Sequence, residues 1–244
     1  MPLFVQEIFK SFQGEGLLVG VPQVFLRLSG CNLECGYCDT PQARERGERG
    51  IFEDGRGGQE PIANPAGISE VIRLVSSLWY PGCHSVSVTG GEPLLQASEL
   101  AELLPELKSK GMDVYLESNG TLHEELALLL PWTDWIAMDV KLPSSQGGKD
   151  LIGQHLRFLR LARQVRTFLK MVVDKGTGDE ELAEACSRLG EEAGDMALVL
   201  QPATPPEGEE AVSPRRVEEL FRIASASFRE VRVIPQMHRA WGAG

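Results

Sequence analysis

Residues 24–40 read VFLRLSGCNLECGYCDT: an aliphatic and aromatic run of strand length, a glycine, and then three cysteines. Cys31, Cys35 and Cys38 have the spacing C-x3-C-x2-C, so three of the chain's five thiols sit on the loop that leaves a strand. A structural zinc site takes four protein ligands, often as two C-x2-C pairs, and the sequence holds no second pair. Cys83 stands alone before another strand-like run, and Cys186 falls on an apolar helical stripe, where a free cysteine behaves as a small hydrophobe. Thiolates are also the usual ligands of iron–sulfur clusters. Three of them leave one iron of a four-iron cluster without a protein ligand, and an open metal position is where a small molecule binds. The count of three points to reactivity.

The odd number and close spacing of the cysteines do not suit a disulfide framework. No apolar run approaches the roughly 20 residues that span a bilayer, and MPLFVQEIFKSFQGEG lacks the order of a signal peptide. The expected location is the cytoplasm. The net charge of −11, from 24 basic against 35 acidic residues, argues against a direct, sequence-independent grip on nucleic acid. A length of 244 residues suits one large domain or two small ones.

Outward from the cysteines, short apolar runs recur at 85–89, 113–118, 135–141, 167–173, 197–202 and 230–235. Between them lie helical stripes: Ile68, Val71, Ile72, Val75; Leu100, Leu103, Leu104, Leu107, with Pro105 expected to kink the helix; Leu182, Ala185, Cys186, Leu189; and Val217, Leu220, Phe221, Ala224. HEELALLL (123–130) and DLIGQHLRFLRLA (150–162) read as further helices. Strands alternating with helices predict an α/β fold with a mainly parallel sheet, closed or partly closed. Functional side chains collect at the carboxyl ends of such strands, and those ends carry GCNLECGYC, TGGEP, ESNG, DVKLP and LQPATP. Two stretches, 41–65 and 203–214, lack a period; the first is expected to be an irregular insertion or lid.

The cysteine spacing, Tyr37 directly before the last cysteine, and TGGEPLLQ (89–96) together resemble the signature of the radical S-adenosylmethionine (SAM) enzymes. The resemblance implies one radical SAM domain over 1–244, a partial (βα)6 TIM-like barrel, with a 4Fe-4S cluster on Cys31, Cys35 and Cys38. It implies SAM contacts from Tyr37, Asp39, Gly91, Glu92, Ser118, Asn119, Asp139, Lys141 and Gln201. Where the family often has Ser-Pro-Lys, this chain has Asp139-Val140-Lys141; Asp139 either meets the SAM ribose or pairs with Lys170.

The stretch from Glu7 to Thr40, with ESNG, LQP and RVIPQMHR (232–239), resembles the 7-carboxy-7-deazaguanine synthase family, and the likeness covers nearly the whole chain. It implies a radical ring contraction of 6-carboxy-5,6,7,8-tetrahydropterin with loss of ammonia, on the route to queuosine, with SAM regenerated as a cofactor. Phe12, Gln13, Gly14, Glu15, Arg27, Thr89 and His238 would contact the pterin, Thr40 would meet Mg2+, and Glu117 would move a proton. A low-potential electron donor such as flavodoxin and a homodimer are further implications. The bland readings are a surface turn for Gln13 and Glu15, a structural ion pair for Arg27 and a turn cap for Thr40; His84, His123 and His155 show no partner pattern. Rival functions are another radical SAM enzyme, such as a glycyl-radical activase, and a non-catalytic iron–sulfur or zinc protein.

Overall fold

The computed structural model describes residues 2–205 and 210–240. Its strands are β1 (Val5–Phe12), β2 (Pro22–Leu28), β3 (Arg49–Glu53), β4 (Gln59–Ala63), β5 (Ser85–Gly90), β6 (Val114–Ser118), β7 (Trp135–Val140), β8 (Arg166–Val173), β9 (Leu198–Pro202) and β10 (Val231–Val233). The helices are α1 (Ile68–Leu78), α2 (Ala97–Ser109), α3 (His123–Leu129), α4 (Ile152–Ala162), α5 (Asp179–Ala193), α6 (Pro214–Ser225) and α7 (Met237–Ala240). One ten-stranded sheet runs β10-β9-β8-β7-β6-β5-β2-β1-β3-β4. From β2 to β10 every neighbouring pair is parallel, and α1 to α6 supply the crossovers. The mainly parallel sheet is the one that the alternation predicts, and the partial TIM-like α/β architecture is the one that the family resemblance implies.

Three strands were not evident from the sequence. β1 lies antiparallel to β2 and parallel to β3, which turns back on β4. The stretch 41–65, expected to be irregular, therefore holds a hairpin that extends the sheet. Its tip is set by Asp54, whose carboxylate accepts from the Arg56 and Gly58 amides at 2.7 and 2.9 Å. Gly50 lets β3 close on β1, since a Cβ there would lie 2.3 Å from the Val5 carbonyl. α2 continues as one helix through Pro105, where the proline has no N–H to give the Ala101 carbonyl. Within 203–214, residues 206–209 lie outside the described residues, as do the final 241–244.

The period of two along each strand divides the molecule. Val24, Leu26 and Leu28 of β2, Val86 and Val88 of β5, Ile136, Met138 and Val140 of β7, and Leu169, Met171 and Val173 of β8 face the helices and form the main core. The intervening residues face inward. Deep inside, Tyr115, Ala137, Phe168 and Val199 form a small apolar floor. Toward the carboxyl ends the inward positions turn polar: Arg27, Thr89, Glu117, Asp139, Lys170 and Gln201. The strands β2 and β5 to β9 thus bury one face for stability and offer the other as chemistry.

Candidate active site

These inward residues and the loops after the strands line one cavity of about 930 Å³. Every residue singled out in the sequence lines it except Glu92. Glu92 is buried behind the wall, where its carboxylate accepts from Leu94 N (3.1 Å), Ser118 Oγ (2.9 Å) and Asn119 N (2.7 Å). Burial pushes its pKa up to about 7 against those hydrogen bonds. The expected SAM contact at Glu92 is therefore corrected: its oxygens hold the turn after β6.

The cysteine loop is fastened at both ends. Gly30 and Cys31 amides donate to the Ala43 and Arg44 carbonyls at 2.8 and 3.0 Å, and Arg44 Nη2 returns to the Cys35 carbonyl at 2.6 Å. Cys35 packs with Leu33 and Leu151, with Cys31, Tyr37 and Cys38 against them. All three thiols are free, and desolvation holds the Cys31 thiol above its ordinary pKa. The glycines of TGGEP let β5 close on this loop. A Cβ on Gly91 would lie 2.3 Å from the Gly30 carbonyl, and Gly90 has φ +145° with Leu28 backbone 2.2 Å from such an atom. Three unpaired thiols on one cavity wall, sheltered by apolar neighbours, are a donor set that fits a cluster.

Beside them the wall offers acceptors without partners. Asp139 Oδ2 meets Lys141 Nζ at 2.9 Å and Lys170 Nζ at 3.2 Å, while Asp139 Oδ1 is buried and unpartnered, as is Gln201 Oε1. Buried acceptors of this kind need donors, and the hydroxyls and ammonium of SAM are donors. Asp139 thus makes the pair with Lys170 and still keeps a free oxygen. Its pKa is lowered, because Lys141 and Lys170 outweigh the rise from burial. Lys141 Nζ also stands 5.2 Å from the centre of the Tyr37 ring.

Ser118 and Asn119 are less available than expected. Ser118 Oγ donates to Glu92, and Asn119 joins Asn32 (2.8 Å) and Thr121 (2.6 Å), which ties the cysteine loop to the end of β6. His155, for which no role was expected, is fully buried on α4 with Nε2 3.1 Å from the Asn119 carbonyl. Burial lowers its pKa to about 4, so its ring is neutral at ordinary pH.

The lining also includes Gln13, Gly14 and Glu15, which leave β1 at its carboxyl end. Gln13 is buried rather than on a surface turn: Nε2 donates to Glu117 Oε1 (2.9 Å) and Gln23 Oε1 (3.0 Å), and Oε1 accepts from Glu15 N (3.0 Å). Glu117 also accepts from Ser87 and Thr89 at 3.2 and 3.3 Å. Burial raises its pKa despite Lys170 nearby. For Glu15, burial is overcome by Lys170 at 2.5 Å and Gln236 at 2.8 Å, and the carboxyl stays ionised with a pKa of about 2.

Arg27 lines the cavity, but its Nε is engaged by Glu7 across the β1–β2 pair. The structural ion pair is real, and the expected free fork toward a ligand is corrected to a partly committed one. Thr40 makes no side-chain cap; its hydroxyl donates to Asp39 Oδ1 at 3.0 Å. Gln236 Nε2 bridges Glu15 and Asp39 Oδ2, the latter at 2.9 Å. Donor atoms of Glu15, Asp39 and His238 lie within 4.8 Å of one another. His238 packs so tightly on Gly14 that a Cβ there would meet its Nδ1 at 2.5 Å. Lys170 and Gln236 line the cavity without having been assigned a ligand role, and Gln23 and Ser87 brace Gln13 and Glu117 from outside it. For Lys170, Gln23 and Ser87 the signal is a polar residue within an otherwise greasy strand; Gln236 follows β10 and carries no such signal.

Comparison with known proteins agrees with this geometry. The Radical SAM superfamily model matches residues 26–189. A 7-carboxy-7-deazaguanine synthase of Geobacter sulfurreducens is 41% identical over 98% of this chain and 96% of its own. One from Methanothermobacter thermautotrophicus is 34% identical over the same shares, 98% and 96%. The crystal structure of QueE from Escherichia coli shares the fold, with a TM-score of 0.63 at 22% identity over 98% of this chain and 95% of that one. Placed by its cysteine loop, its polar-lined half-barrel and these relatives, the chain belongs to the 7-carboxy-7-deazaguanine synthase family of the radical SAM superfamily.

Proposed function

We propose that this chain makes 7-carboxy-7-deazaguanine by radical ring contraction of 6-carboxy-5,6,7,8-tetrahydropterin, releasing ammonia and using SAM as a cofactor. The observation that carries the reading is that one cavity joins the three-thiol loop to the Gln13–Glu15 turn, with Lys170 touching both Glu15 and Asp139. Cys31, Cys35 and Cys38 would hold the 4Fe-4S cluster, and Asp139, Lys141, Gln201 and the Gly91 backbone would hold SAM. When bound, that pair supplies a 5′-deoxyadenosyl radical, which takes a hydrogen atom from the substrate.

The rest is the work of this chain's side chains. Glu15, kept ionised by Lys170, accepts from the amino and ring N–H donors of the pterin, and Gln13 fixes the orientation of that edge. Arg27 and His238 face the substrate carboxylate. Glu117, with its raised pKa, holds or gives up a proton as the amine departs. Asp39 and Thr40 offer hard oxygens for Mg2+ beside that carboxylate, which suits a cation that keeps several waters. A low-potential electron donor and a homodimer belong to the same proposal, as does a cytoplasmic location. No helix among the described residues is long and apolar enough to cross a membrane.

The test is anaerobic reconstitution with iron and sulfide, then incubation with SAM, reductant, Mg2+ and 6-carboxytetrahydropterin. Formation of the deazaguanine with one equivalent of ammonia supports the proposal. A protein that holds its iron and cleaves SAM yet yields no deazaguanine would refute it.

A further inference from the structure

Cys35 is the buried member of the clustered thiols, and its sulfur has a neighbour no motif pointed to: Gln146 Nε2, at 2.9 Å. Gln146 ends a 3-10 turn, Pro143–Gln146, that follows β7 and is closed by Gly147 at φ +62°. The same turn docks on the cysteine loop through its backbone, where the Gly36 amide donates to the Ser145 carbonyl at 3.3 Å. From behind, the Ser144 amide donates to Glu181 Oε2 on α5 at 2.9 Å. The amide is thus held on a braced turn between the sheet and the cysteine loop.

Hydrogen bonds to the sulfurs are one of the levers that set a cluster's reduction potential. An N–H aimed at a ligating sulfur stabilises the more electron-rich state, so it favours reduction. We propose that Gln146 is a positioning residue for the cluster: its amide donates to the Cys35 sulfur, fixes the orientation of that ligand and raises the potential at which the cluster accepts its electron. The inference rests on the cluster assigned above to the three thiols. It goes beyond that assignment, which needs nothing from Gln146.

The test is a potentiometric titration of the reconstituted protein without SAM, followed by the EPR signal of the reduced cluster, with iron counted per chain. Gln146→Met keeps the length of the side chain and removes the donor. Its one-electron reduction constant should fall roughly tenfold, which is about 59 mV toward more negative potential for a one-electron couple. Gln146→His, which restores an N–H donor, should recover part of that shift; a purely packing role would move neither value. An unchanged midpoint in Gln146→Met at wild-type iron content would overturn the inference. Should Gln146→Met fail to hold iron, Gln146→Glu decides: a carboxylate beside the sulfur must lower the midpoint, and an unmoved midpoint there overturns it equally. A wild-type protein that binds no iron would instead sink the cluster reading, a result distinct from a loaded cluster with an unmoved potential.

Discussion

Lys170 Nζ lies 2.5 Å from Glu15 Oε2 and 3.2 Å from Asp139 Oδ2, so one buried ammonium joins the Gln13–Glu15 turn to the end of β7. Asp139 passes the contact on to Lys141 at 2.9 Å. Charges alternate in sign along this row, and nearby opposite charge keeps each acid ionised in spite of burial.

Removing the ammonium should therefore hurt both sides. Lys170→Met leaves Glu15 without its cation and Asp139 with Lys141 alone, at a cost of about 3–5 kcal/mol in unfolding free energy. Glu15 should then titrate nearer the ordinary range, and affinity for both pterin and SAM should drop. In the double variant with Glu15→Gln the losses should be clearly less than additive. Denaturant unfolding and binding titrations of the four proteins check this; strict additivity would mean the two residues do not interact.

Acid stability has two separable windows. His155 has its pKa lowered to about 4 from 6.5, so the unfolded chain binds the proton first. Its contribution is complete above pH 6.5 and is lost as pH falls toward 4, roughly 3 kcal/mol in all. Glu15, lowered to about 2 from 4.5, contributes fully above pH 4.5 and loses that contribution as pH falls toward 2. Glu92, raised to about 7 from 4.5, gains stability as pH falls through 6.5 to 4.5 and offsets His155, so the wild-type urea midpoint should change little there. His155→Gln removes the opposing loss, so its midpoint should rise relative to the wild type as pH falls across that range, with the lower window left in place.

The glycine pair gives a steric prediction. Gly91→Ala forces a Cβ to within 2.3 Å of the Gly30 carbonyl and 2.7 Å of that of Ala43, both backbone atoms. The cysteine loop must shift, and iron bound after reconstitution should fall severalfold. Gly67→Ala, where a Cβ meets nothing within 4 Å, should bind iron as the wild type does. Equal iron in the two variants would show that the close approach does not set the loop.

Glu92 supports without touching the cavity. Glu92→Gln keeps the shape but places an amide N–H against donors from Leu94, Ser118 or Asn119. The cost should be about 1–3 kcal/mol of stability, accompanied by weaker SAM binding with the cysteines still able to hold iron. Iron content and SAM affinity measured side by side separate this from loss of the cluster.

Much of this was legible in the chain, for physical reasons that differ by element. β5 to β9 are covered by helices and lie between other strands, so they read as largely apolar runs of strand length. β1, β3 and β4 sit at the open side of the sheet; Gln59, Glu60 and Ala63 are exposed and Ile62 alone of β4 is buried, which leaves no run to see. The cysteines, glycines and FQGEG turn stand out because their spacing is local. Lys170 and Gln236 do not, because their partner Glu15 is 155 and 221 residues away. Glu92 is part of a motif, yet only the fold shows that it faces away from the cavity. His155 looked idle since its partner is a backbone carbonyl, which no sequence pattern marks.

The most direct test of the central claim follows one hydrogen. If pterin and SAM share this cavity, deuterium placed at C6 of 6-carboxytetrahydropterin should pass straight to the deoxyadenosyl carbon and appear in SAM recovered after turnover. The deazaguanine should accumulate beyond the amount of SAM supplied. Product formed with no deuterium in SAM, or SAM consumed one for one with product, would contradict the account.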